Sequence, residues 1–76
     1  MSPRLPRVTA KQVIAVLRKR GFSLARSTGS HHIFRNPSGV RVTVPVHSGR
    51  IIHPKVIGRI LKDAGMTVEE LVKELK

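Results

Sequence analysis

His31-His32-Ile33-Phe34-Arg35-Asn36-Pro37-Ser38-Gly39-Val40-Arg41-Val42-Thr43-Val44-Pro45-Val46 is the stretch that decides the fold. In its second half Val40, Val42, Val44 and Val46 alternate with Arg41 and Thr43, the period of a strand with one face buried. Asn36-Pro37-Ser38-Gly39 is a strong hairpin signal, so His31 to Arg35 reads as the strand before it. Upstream, Phe22 to Ser27 alternates, with Phe22 and Leu24 on one side and Ser23 on the other, and Thr28-Gly29-Ser30 is a turn. Turns this short cannot carry a parallel crossover, so the three strands are expected as an antiparallel meander. Pro45 places the third strand at an edge or marks its end, because proline cannot donate to a ladder.

Helices flank this sheet. Thr9 reads as an N-cap with Gln12 as its capping-box partner, and Ala10, Val13, Ile14, Val16 and Leu17 follow as one apolar face. Arg18, Lys19 and Arg20 load the last turn, where cations suit the helix dipole, and Gly21 stops the helix. Pro54 fits the first position of a second helix, whose buried face is Ile57, Ile60, Leu61 and Ala64. After Gly65, Thr67 and Glu70 form another capping box that opens a short helix through Val68, Leu71, Val72 and Leu75. The order predicts an α+β fold, α-β-β-β-α, with helices on one face of a three-stranded antiparallel sheet and a short C-terminal helix added. It resembles the double-stranded-RNA-binding domain. At 76 residues the chain is expected to be a single domain, 1–76, with residues 1–8, held extended by Pro3 and Pro6, as a short arm.

Charge narrows the function. Fifteen Lys and Arg face four Asp and Glu, and all four acids (Asp63, Glu69, Glu70 and Glu74) lie in the last fourteen residues. Residues 1–62 hold thirteen basic side chains and no acid, so the body of the fold is a positive field that favours a polyanion or an acidic partner. The same imbalance removes chemistries. Outside the tail there is no carboxylate pair for a glycosidase, and none of the carboxylates a two-metal nuclease uses. A Ser-His-Asp triad would have to borrow its acid from the last helix. The absence of cysteine excludes disulfides, thiolate zinc sites and cysteine nucleophiles, and suits a reducing compartment. The basic N-terminus lacks the apolar run of a signal peptide and no stretch approaches membrane-spanning length, so the expected location is cytoplasmic, with no membrane partner.

What remains for chemistry is His, Ser, Thr, Lys, Arg and backbone. On a strand His31 and His32 point to opposite faces; if Phe34 is core, His32 leans inward and His31 faces out beside Arg35, with Ile33 an imperfection on the outward side. Two readings stand for His31: a solvated strand residue, or a general acid or base at an RNA phosphodiester. Imidazole titrates near neutrality and suits proton transfer from a 2′-OH, while cations and backbone N–H groups stabilise the charge that builds on phosphorus. Gly29 is either a plain turn residue or a point where a phosphate approaches bare backbone, and the Ser30 hydroxyl either assists there or ends the turn. His47 and His53 either supply a partner acid or sit in a loop. No HxH or HxxxH spacing supports a metal site, and no cofactor is expected. Lys55, Arg59 and Lys62 share a helix face at i, i+4 and i+7 that is either solvated or tracks phosphates. Phe22 and Phe34, the only aromatics besides histidine, read as core, which argues against a base-stacking sheet.

Gly29-Ser30-His31-His32-Ile33-Phe34, followed by Arg41-Val42-Thr43-Val44-Pro45, His47 and Ile60-Leu61-Lys62-Asp63-Ala64-Gly65, resembles the HicA (YcfA-like) mRNA interferase toxins over about residues 10–72. The combination of these steps, in order and in so short a chain, makes the resemblance specific. It implies a double-stranded-RNA-binding-like fold, a toxin of a type II toxin–antitoxin system that cleaves mRNA, a catalytic histidine at His31, and a HicB antitoxin that covers the site. The chain departs from the family early in the second helix, where a Gly-Thr pair is replaced by Lys55-Val56-Ile57-Gly58. The expected enzyme is a metal-independent endoribonuclease with His31 in proton transfer. Gly29, Ser30, Arg26, Arg35, Arg41, His47, Lys55 and Arg59 are the candidate RNA contacts. The rival readings are an RNA-binding module that cleaves nothing and a basic structural protein of a ribonucleoprotein.

Overall fold

Three strand residues, Phe34, Val42 and Val44, are fully buried, and they fix which side of the sheet the helices cover. The computed structural model describes residues 5–75. Along the chain run α1 (Ala10–Lys19), β1 (Ser23–Thr28), β2 (His31–Arg35), β3 (Arg41–Pro45), α2 (Pro54–Ala64) and α3 (Val68–Glu74). The sheet is an antiparallel meander in the order β1-β2-β3. The fold is therefore α+β, α-β-β-β-α-α, with an open three-stranded sheet. Among the described residues no helix is long and apolar enough to cross a membrane.

The helix signals act as their residue types demand. The Thr9 N–H donates to Gln12 Oε1 at 2.9 Å while the Gln12 N–H donates to Thr9 Oγ1 at 3.4 Å, a reciprocal capping box. The α1 apolar face sends Val13, Val16 and Leu17 into the core. Pro54 opens α2, Gly65 ends it in the left-handed conformation at φ 70°, and Ile57, Ile60 and Leu61 meet the strand residues. Phe22 belongs to the end of α1 rather than to the first strand: its N–H donates to the Leu17 carbonyl at 3.0 Å, and its ring is buried. Val40, read as the start of the third strand, lies in the β2–β3 turn instead. Its N–H donates to Asn36 Oδ1 at 2.9 Å, so the asparagine takes the place of a ladder partner.

Of the predicted arm, residues 1–4 lie outside the described residues. Its last part is anchored. Val8 is buried, Ile52 donates its N–H to the Val8 carbonyl at 2.8 Å, and Thr9 and Ile51 form an antiparallel bridge. At the other end, Thr67 and Glu70 form the second capping box, and α3 sets Leu71 into the core. Arg20, at the end of α1, pairs with Glu70 at 3.2 Å and with Glu74 at 3.5 Å. These contacts give two of the four acids one basic partner.

Two outcomes are expected. Phe34→Ala removes the largest fully buried side chain and should cost about 3–5 kcal/mol in urea unfolding, most of what a chain this size has. The Thr67 backbone N–H, then the Arg20 guanidinium, hold the Glu70 carboxyl below its ordinary value of 4.5. A depressed carboxylate contributes stability above its unfolded pKa and loses it as pH falls through the lower folded value. Melting temperature should therefore drop on acidification below about pH 4.5, and Glu70→Gln should flatten that limb. An unchanged acid slope in Glu70→Gln would show that the Glu70 carboxylate does not carry it.

Candidate nucleic-acid interface and active site

Register places the site residues. β2 pairs with β3 as His31↔Pro45, His32↔Val44, Ile33↔Thr43, Phe34↔Val42 and Arg35↔Arg41. Directly opposed residues share a face, so Phe34, Val42, Val44 and His32 lie on the helix side, and His31, Ile33, Arg35, Arg41, Thr43 and Pro45 on the open side. His31, Arg35 and Arg41 are exposed, and His32 is half-buried.

β1 does not follow simple alternation. It pairs with β2 as Ser23↔Arg35 and Leu24↔Phe34, then resumes at Arg26↔Ile33, Ser27↔His32 and Thr28↔His31. Ala25 is the extra residue of a β-bulge, and it shifts the parity of everything after it. Arg26 and Thr28 consequently stand on the open side with His31, whereas an unbroken alternation from Leu24 would have turned both toward the helices. Leu24 does face the helix side, yet it is 46% exposed, because α1 and α2 lie over β3 and leave that face of β1 uncovered.

The β1–β2 turn carries the Gly-Ser step. Gly29 has φ 57° and, among the described residues, no residue other than glycine has a positive φ; this is the pattern of a type II′ hairpin turn, with glycine first. A Cβ added at Gly29 would meet nothing within 4 Å, so its backbone lies open to a ligand. The Ser30 carbonyl accepts the Val46 N–H at 2.6 Å, which brings the start of the following loop, with His47, to the same end of the sheet. Gly29, Ser30, His31 and His47 thus gather at one end, and Arg26, Arg35 and Arg41 extend along the open face. Lys55 and Arg59 sit exposed on α2, in the helix layer.

Electrostatically the open face is unbalanced. Arg35 lies directly opposite Arg41, an arrangement that destabilises a sheet unless an anion joins it. Among the described residues the ion pairs are those of Arg20 with Glu70 and Glu74, on the α1–α3 side. No three His, Asp or Glu side chains among the described residues come together where they would share a metal ion.

Sequence reasoning left two features unread. His53 is the N-cap of α2: its Nδ1 accepts the Lys55 N–H at 3.1 Å, so it serves the helix and its proton sits on Nε2 in the neutral ring. Its position before Pro54 was the available signal. The second is a shallow cleft of about 290 Å³ between Pro45, His47, Arg50, Ile51, Ile52, His53 and Val56, beginning at the cross-strand partner of His31. Ile51, 52% exposed, is its apolar rim.

A family model described as the HicA toxin of bacterial toxin-antitoxin matches residues 10–66, well over half of the chain. The matched span runs from the first residue of α1 to the buried Met66 and includes the whole sheet, the Gly29–Ser30 turn and α2; α3 lies beyond it. No curated protein matches the chain.

The cap is open to a direct check. His53→Ala should lower stability by about 1 kcal/mol, and His53→Asn should restore it, because asparagine caps at least as well. Equal melting curves for all three proteins would show that the imidazole bond contributes nothing to α2.

Proposed function

The chain belongs to the HicA family of toxins of bacterial toxin–antitoxin systems, and from that premise we propose that it is a metal-independent endoribonuclease that cleaves mRNA with His31 in proton transfer. One observation carries the reading: His31 stands exposed on an open sheet face whose other ionisable residues are arginines, Arg26, Arg35 and Arg41. A carboxylate face would repel RNA; this one draws its phosphates in.

The chemistry follows from those groups. The neutral His31 imidazole takes the proton of a 2′-OH, and the 2′-oxygen forms a bond to the adjacent phosphorus. The bond from phosphorus to the 5′-oxygen breaks in line. The products are a 2′,3′-cyclic phosphate and a 5′-OH, the departing oxygen taking its proton from solvent at this open face. Arginines and the bare Gly29–Ser30 backbone stabilise the additional negative charge in the transition state. His47, at the same end of the sheet, contacts the adjoining nucleotide. Lys55 and Arg59, across the sheet, serve a more distant part of the RNA by charge alone. The protein acts in the cytoplasm, where mRNA is found.

Membership of a toxin–antitoxin family implies an antitoxin partner. We take it to be of the HicB type, presenting acidic groups to the arginine face. The net charge of +11 makes neutralisation by such a partner favourable for association rate and specificity.

The test is RNA cleavage in excess EDTA by wild type and by His31→Ala at matched fold content. His31→Ala should lose at least about 100-fold in rate, keep most RNA binding, and no longer arrest growth on expression. Binding without cleavage by the wild type would identify a non-catalytic RNA-binding module instead. Equal cleavage by both proteins would remove His31 from the reaction.

A further inference from the structure

Three arginines share the open face, but their distances from His31 differ. Arg35 is four residues along the same strand, roughly 13 Å away at a strand's rise per residue, and Arg41 lies opposite Arg35, further still. Arg26 is opposite Ile33, which makes it the diagonal neighbour of His31, about 7–8 Å away and within reach of a long side chain. It occupies that place only because of the bulge at Ala25. Without the extra residue, Arg26 would fall on the helix side with Leu24. Bulges of this kind re-aim side chains beside active sites, and this one interrupts an edge strand in which every residue is exposed, so no demand of core packing accounts for it.

We propose that Arg26, turned onto the open face by the Ala25 bulge, is a catalytic residue that contacts the non-bridging oxygens of the scissile phosphate, while Arg35 and Arg41 hold phosphates further along the strand. The assignment rests on the ribonuclease reading of His31 and divides the arginine face by function. A guanidinium beside the reacting phosphorus meets charge that grows in the transition state; one roughly 13 Å away meets charge that does not change. The forked donor also offers two parallel bonds to two oxygens of one phosphate, a fixed geometry that an ammonium lacks.

The test compares wild type, His31→Ala, Arg26→Ala, Arg26→Lys and the double variant Arg26→Ala/Ser27→Arg, using a short RNA with one cleavage site at saturating concentration. Ser27 is exposed on the helix side, so the double variant restores the net charge of +11 on the wrong face. Arg26→Ala should lower the saturating rate by about 100-fold, with a much smaller loss of affinity. Arg26→Lys should recover only part of the rate, and the double variant none of it. A loss below about tenfold in Arg26→Ala, or recovery in the double variant, overturns the assignment and leaves a generic positive field. Arg26→Gln replaces Arg26→Ala if circular dichroism shows the alanine variant to be unfolded. Failure of the underlying reading looks different: a wild type that does not cleave, or a His31→Ala that cleaves at full rate, removes both proposals together. An active wild type, an inactive His31→Ala and a full-rate Arg26→Ala remove only this one.

Discussion

Burial of Phe34, Val42 and Val44 beneath α1 and α2 is the constraint on which the rest of this structure depends. Strand side chains alternate, so once Phe34 is inside, His32 must share its side and His31, Ile33 and Arg35 must face out. A slip of one residue that flips β3 would bury Arg41 and Thr43 and strand Val42 and Val44 in water. The two short turns and the Asn36 bond to the Val40 N–H hold the register against that slip. The position of His31 is therefore a by-product of core packing. Groups supported in this way lose less orientational freedom on binding a ligand than groups on a loop.

The open face carries a cost in the opposite direction. Arg35 and Arg41 repel each other across the ladder, and Arg26 lies diagonal to Arg35 as well as to His31. The acids that might have balanced them are elsewhere: Glu70 and Glu74 are held by Arg20, where they dock α3 onto α1. The fold thus uses two of its four carboxylates for assembly and leaves the sheet uncompensated. Any polyanion that binds the native face relieves this repulsion and stabilises the folded state by mass action.

Much of this was legible in the sequence, because the decisive elements repeat one physical signal several times. Val42 and Val44 alternate with Arg41 and Thr43, and both capping boxes announce themselves by residue type and spacing. From these the element order, the meander and the outward His31 all follow. The β1 strand was harder. Ser23-Leu24-Ala25-Arg26-Ser27-Thr28 buries nothing, so its sequence is under no period-two constraint and a bulge leaves no trace in it. The strand also begins one residue later than expected, because Phe22 closes the end of α1; Leu24 faces the helix side as expected but has no helix above it. The arginines could be named from composition, but which of them stands nearest His31 is a property of the bulge. His53 was missed because histidine is an unusual cap, even though Pro54 marked the helix start.

Both phenylalanines are buried, and the chain has no tyrosine or tryptophan, so the open face offers guanidinium groups and backbone, with the His31 imidazole as its aromatic ring. On the proposed function this has a consequence for control. A surface that engages phosphates discriminates poorly among sequences, because every nucleotide carries the same phosphate. The cleft that begins at Pro45 and has Ile51 on its rim is a place where a base would be distinguished, and it is shallow. Restraint of such an enzyme is then better supplied by a protein that occupies the arginines than by the substrate's sequence. An antitoxin with carboxylates on this face would neutralise Arg26, Arg35 and Arg41 and cover His31 in the same step. On that reading one set of cations would serve both partners, the RNA phosphates and the antitoxin carboxylates.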